Sequence, residues 1–100
     1  MYIKNIREID DQGRINISAM SKEFSNNPQR LLMVFDLDME MIKIISGEKA
    51  TQDPSSVMLD KKGRVSVPGW IRDILPSNIL LFIEDNGEFY LSPQTGKLLL

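Results

Sequence analysis

The side chains best equipped for chemistry in this 100-residue chain are its cations, and they recur in a fixed setting. Asp10-Asp11-Gln12-Gly13-Arg14-Ile15-Asn16-Ile17-Ser18 is answered by Asp60-Lys61-Lys62-Gly63-Arg64-Val65-Ser66-Val67-Pro68. The shared frame is Asp-x-x-Gly-Arg followed by apolar, polar and apolar positions. Its register runs on without a gap, pairing Met20 with Trp70, Lys22 with Arg72, Glu23 with Asp73 and Phe24 with Ile74. Cations repeated in this way suit phosphate, which accepts charge-assisted hydrogen bonds and takes two at once from a guanidinium. Other chemistry is poorly served. The chain has no cysteine and no histidine, so the thiolate nucleophile and the imidazole base or metal ligand are both missing. No phosphate loop, metal constellation or cofactor site is read, and adjacent acids such as Asp10 and Asp11 are ordinary turn residues. The expectation is a non-enzyme without a cofactor.

Each cation also has a plainer reading. Arg14 and Arg64 could bond turn carbonyls or pair with Asp10 and Asp60. Lys61 and Lys62 could be solvated turn residues, and Lys22 and Arg72 could simply offset Glu23 and Asp73 on exposed helix faces. Trp70, a candidate for stacking on a base, is read instead as core beside Ile71 and Ile74.

The elements that must carry these residues follow from local chemistry. Gly13 and Gly63 reach positive φ at little cost and the aspartates before them bond nearby amides, so Asp-x-x-Gly is a turn. Ile15 and Ile17, like Val65 and Val67, then alternate at strand period, which sends Arg14, Asn16, Arg64 and Ser66 to the opposite face. Pro68 suits a helix start, and Trp70, Ile71, Ile74 and Leu75 have helical spacing up to Pro76. In the first copy Ser18 stands where the second has Pro68 and can cap a helix carrying Met20 and Phe24, ended by Asn26-Asn27-Pro28. Each copy closes in a hairpin, strongly signalled by Asn86-Gly87 and less so by Leu37-Asp38-Met39-Glu40. The stretch from Gly47 to Ser56 is rich in turn formers and lacks an apolar period. The reading is one mainly β domain over 1–100, with two tandem β-turn-β-α-β-β motifs at about 3–46 and 55–93 joined by a linker at 47–54.

Net charge is −2 and the pI about 5.0, so overall balance gives nucleic-acid binding no support. The distribution does. No lysine or arginine occurs between Arg30 and Lys43 or between Arg72 and Lys97, while Asp36, Asp38, Glu40, Glu84, Asp85 and Glu88 fall in those gaps. Lys4, Arg7, Arg14, Lys22, Lys61, Lys62, Arg64 and Arg72 all belong to a first strand, turn or helix. Two copies paired about a pseudo-twofold axis would have one basic and one acidic end, and a basic end can attract phosphate on a slightly anionic molecule. No window is apolar for long enough to span a bilayer as a helix and the first residues lack a secretion signal, so a cytoplasmic location is expected.

Asp60-Lys61-Lys62-Gly63-Arg64-Val65-Ser66-Val67-Pro68 followed by a short helix with Arg72 resembles the signature of the AbrB-like family, which includes the SpoVT, MazE and MraZ proteins. The first copy is a drifted match, and the tandem form is similar to MraZ. The resemblance covers about Ile3 to Leu91. It implies a swapped-hairpin β-barrel with short helices, and transcription regulation by cations that grip double-stranded DNA. Matched by position, the nucleic-acid-binding residues are Arg7, Arg14, Lys22, Arg64 and Arg72, with Lys61 and Lys62 at the edge. Val57 stands where the first copy has Arg7. Glu23 and Asp73 stand where a second helix arginine occurs in the family, and a carboxylate there repels phosphate. Two other functions fit the resemblance. One is an antitoxin that binds DNA and a toxin partner. The other is a self-associating interaction module that has lost DNA binding, which the acidic helix positions and Leu98-Leu99-Leu100 favour.

Overall fold

The computed structural model describes residues 2–18, 24, 29–75 and 77–93. Among them the chain is mainly β, with strands β1 (Tyr2–Glu8), β2 (Arg14–Asn16), β3 (Gln29–Asp36) and β4 (Met41–Ile45), then helix α1 (Glu48–Gln52). There follow β5 (Val57–Leu59), β6 (Arg64–Ser66), helix α2 (Gly69–Ile74), β7 (Ile79–Asp85) and β8 (Glu88–Pro93).

Pairing runs between the halves as much as within them. A six-stranded sheet in the order β1-β7-β8-β4-β3-β5 curls into a half-barrel, and β2 and β6 form a separate two-stranded ribbon. Exchanging each strand for its counterpart in the other half returns the same order: β1 lies on β7 as β5 lies on β3, while β4 meets β8 and β2 meets β6. Three-residue strands such as β2 and β6 are too short to hold a sheet unaided. They pair with each other, Ile15 opposite Val65, and the ribbon is extended by Ile17 N–H donating to the Gly63 carbonyl and Val67 N–H to that of Gly13.

Strand alternation decides which side chains meet. Ile15, Ile17, Val65 and Val67 of the ribbon face the concave side of the sheet and form one buried core with Leu31, Met33, Ile42, Ile44, Leu80, Phe82 and Leu91. Phe24 belongs to it, its ring edge-on to Phe89 with centroids 5.3 Å apart. Both halves supply this core, so neither could bury its own apolar face alone. Met41, Leu81, Ile83 and Tyr90 form a second cluster, and alternation places it on the convex side. There Lys43, opposite Tyr90, pairs with Glu88 at 3.0 Å while the Tyr90 hydroxyl donates to Glu88 at 2.9 Å. Burial first, and Glu88 second, push the Tyr90 hydroxyl up to about 12.

Two expectations change. The stretch read as a bare linker contains α1, whose Ala50 is buried and which packs against β3. The turn formers around it are its boundaries: Gly47 before it has φ 87° and Asp53 closes it by donating to the Ala50 carbonyl. Trp70, read as core, is 45% exposed. In a helix of six residues one stripe faces inward, and Ile71 and Leu75 occupy it, leaving Trp70 and Ile74 about 100° to the side. The Ser18 hydroxyl donates to Asn16 Oδ1 at 2.6 Å, and the helix it was expected to cap falls on 19–23 and 25–28, outside the described residues.

Candidate nucleic-acid interface

Both Asp-x-x-Gly turns are built alike, from backbone and carboxylate together. Asp10 Oδ1 accepts from the N–H groups of Gln12 and Arg14, each at 2.9 Å, as Asp60 Oδ1 does from Lys62 and Arg64, also at 2.9 Å. Gly13 N–H donates to the Asp10 carbonyl and Gly63 N–H to that of Asp60, with φ of 77° and 80° at the two glycines. The Arg14 amide bond above all, then that of Gln12, holds the Asp10 carboxyl below its ordinary range against the opposing effect of desolvation. Asp60 is lowered likewise, first by the Arg64 amide and then by its guanidinium.

Antiparallel pairing of β2 with β6, Arg14 opposite Ser66 and Asn16 opposite Arg64, brings the two arginines onto one outward face as diagonal neighbours. They are partly engaged. Arg64 Nε donates to Asp60 Oδ2 at 2.9 Å, and Arg14 Nε, buried and without a hydrogen bond, stands 3.5 Å from Asp10 Oδ2. The plainer reading of both arginines is thus realised at Nε, while among the described residues the terminal nitrogens of the two guanidiniums make no hydrogen bond or ion pair. Solvent reaches both partners of each pair, so the pairs are screened and contribute little to stability.

Helix α2 adds a cation from the other half. A Cβ built on Gly13 would meet Arg72 Nη1 at 2.9 Å, so the guanidinium of α2 lies against the turn of the first half. On Gly63 the same atom would meet Ser18 Cβ at 2.6 Å. Each turn is therefore packed under the residues that follow the opposite ribbon strand. Asn16 ties them together, its Nδ2 donating to the Lys62 carbonyl at 3.0 Å and its Oδ1 accepting from Ser18 N–H at 2.9 Å. This role was not legible in the sequence, where Asn16 is one of several polar strand residues and Ser66 occupies the matching place.

Lys61 and Lys62 are exposed in the second turn. With Arg14, Arg64 and Arg72 they set five cations around the ribbon, among the acids Asp10, Asp11, Asp60 and Asp73. Arg7 is exposed on β1, opposite Leu80 of β7. Lys4 is engaged elsewhere, 3.2 Å from Glu84. Lys22 and Glu23 lie outside the described residues, while Asp73 is exposed beside Arg72. Arg30 serves the structure, donating from Nε to the Ser56 hydroxyl at 2.7 Å and from Nη2 to its carbonyl at 2.9 Å.

No described helix is long and apolar enough to cross a membrane. Comparison with protein-family models, with curated proteins and with solved structures returned no match.

Proposed function

We propose that the chain is a DNA-binding transcription regulator of the AbrB-like type, its strands forming a swapped-hairpin barrel whose β2–β6 ribbon grips the backbone of duplex DNA. One observation carries this reading: the ribbon and α2 gather Arg14, Arg64, Lys61, Lys62 and Arg72 from both halves around two adjoining turns, while the acidic hairpin residues Asp36, Asp38, Glu40, Asp85 and Glu88 lie on other strands and turns. Phosphate contacts position a protein on DNA without specifying sequence. The residues at hand therefore support a backbone grip and assign no base readout.

Arg72 gives the cleanest test, because it makes no ion pair among the described residues. Binding to a 30-base-pair duplex, followed by fluorescence anisotropy across a salt series, should weaken steeply as salt rises, and Arg72→Ala should lower the log–log slope by about 0.9 for each phosphate that its guanidinium neutralises. Asp73→Arg should strengthen binding by replacing a repulsive charge. If neither wild type nor Asp73→Arg shows salt-sensitive binding to any duplex tried, the regulator reading is wrong.

A second reading, an interaction module without DNA, draws on the exposed Phe35, Leu37, Trp70 and Ile74. Self-association in light scattering together with a flat salt response would favour it. Co-purification of a small toxin would favour the antitoxin instead.

A further inference from the structure

The flank of α2 away from Arg72 opens onto a small apolar cavity whose surroundings specify what could enter it. Ile74 follows Arg72 by two residues, about 160° around a helix, and lines an open cavity of about 100 Å³ with Phe35, Ile42 and Leu75 among its walls. An enclosed apolar cavity of roughly 150 Å³ accepts benzene, so an open one of this size admits the edge of an aromatic ring. The other half shows such a ring in place. Phe24 holds the position in the sequence repeat that matches Ile74, and it is buried edge-on to Phe89 with centroids 5.3 Å apart. Exchanging the paired strands of the two halves carries Phe89 onto Ile42. Two aromatic rings in one half thus answer to two aliphatic side chains in the other, and the room they leave is open to solvent beside Ile74 and Phe35, which are 56% and 42% exposed.

Glu40 is the one charged residue among the described walls of the cavity, and its backbone is strained. It ends the turn between β3 and β4 with φ 56°, in the left-handed region that disfavours residues other than Gly, Asn and Asp. The turn between β7 and β8 meets the same demand with Asn86 and Gly87. A glutamate where asparagine or glycine would sit at less cost is explained by a use for its carboxylate. That carboxylate is exposed and makes no ion pair among the described residues. Asp38 in the same turn and Asp73 beside Ile74 are exposed acids as well. The rim of the apolar opening is therefore anionic, and a complementary occupant brings positive charge with its apolar group.

We propose that this cavity is the anchor pocket of a protein-binding surface, and that its occupant is a basic segment of a partner protein which inserts one phenylalanine beside Ile74 and sets lysine or arginine against Glu40. The ring would take the room that Phe24 fills in the other half, and the cations would answer the acids of the rim. This inference is independent of the DNA reading, since the flank of α2 that bears Arg72 stays uncovered.

The test follows the amide chemical shifts of the isotope-labelled full chain, because a single anchor binds weakly. A peptide with one phenylalanine between two pairs of lysines should shift the amides of Phe35, Glu40, Ile42, Ile74 and Leu75, and its alanine counterpart should bind about tenfold more weakly or not at all. Ile74→Phe, which fills the cavity from within, should lose the same binding while its thermal transition shows the fold retained. Glu40→Asn suits this φ and leaves the cavity open, so it should keep the preference for phenylalanine and lose much of the preference for flanking lysine over flanking glutamate. Equal binding of the phenylalanine and alanine peptides would overturn the proposal. So would a folded Ile74→Phe chain that binds like wild type, or a lysine preference untouched by Glu40→Asn. A wild-type chain that sediments as a dimer and becomes monomeric in Ile74→Phe would overturn it in favour of a second copy seated on the cavity.

Discussion

Arg72 of the second half lies against Gly13 of the first, so close that a Cβ on the glycine would stand 2.9 Å from its Nη1. The turn that displays Arg14 and the helix that displays Arg72 are thus one surface, although 58 residues separate the two arginines in sequence. The matching contact, Gly63 under Ser18, is tighter, with Ser18 Cβ only 2.6 Å from the built atom.

The two glycines should therefore differ when replaced. At φ near 80° alanine is strained at either site, by about 1–2 kcal/mol. At Gly13 the obstacle is the far end of a flexible arginine, which can swing away. At Gly63 it is a Cβ close to the backbone, which cannot move without shifting the ribbon. Gly63→Ala is expected to cost more than Gly13→Ala in urea denaturation, by about 1 kcal/mol or more. Gly13→Ala should instead be the one that weakens duplex binding, by displacing Arg72. Equal stability losses would refute the asymmetry.

Phe24 and Ile74 hold the same place in the repeat but have different surroundings. Phe24 is 1% exposed, whereas Ile74 is 56% exposed. Ile74 lines an open cavity of about 100 Å³ with Phe35, Glu40, Met41, Ile42, Leu75 and Pro93. The smaller side chain leaves unfilled a site that the first half fills with an aromatic ring. Ile74→Phe should seat its ring there and add roughly 1 kcal/mol, which in a domain of this size is a rise in Tm of about 4–8 °C. A calorimetric scan showing an unchanged or lower Tm would show that the cavity does not take the ring.

Acid should loosen the turns. Asp10 and Asp60 have carboxyls depressed by the amides they accept from, so their ionised forms favour the folded state. Their contribution is present above the ordinary carboxyl range, near pH 4, and fades as pH falls through the lower folded values. Asn side chains keep an acceptor at Oδ1 but carry no charge. Asp10→Asn with Asp60→Asn should lower Tm at pH 7 and flatten its acid decline, so that the two curves converge near pH 2. Parallel curves from pH 7 to pH 2 would place the acid sensitivity elsewhere.

Much of the local architecture was legible because it is enforced within a few residues. Asp-x-x-Gly-Arg makes its turn with its own side chain and amides, wherever the rest of the chain goes. Asn86-Gly87 closes β7 onto β8 with both residues at positive φ, as that pair is suited to do. Alternation around Ile15, Ile17, Val65 and Val67 correctly separated the arginines from the core. Helix α2 was less transparent, since two adjacent stripes of a short helix were both apolar and only the shape of the core chose Ile71 and Leu75 over Trp70 and Ile74.

Sequence by itself thus determined the turns and the faces of the ribbon strands, which rest on contacts spanning a few residues or on the two-residue period of a strand. Tertiary structure alone decided that β1 pairs with β7, β5 with β3 and β2 with β6, that Arg72 crosses to Gly13, and that Asn16 links the two turns. Those choices depend on burying one apolar face made by both halves. A face of that kind has no local signature, because its residues are brought together only when the chain closes.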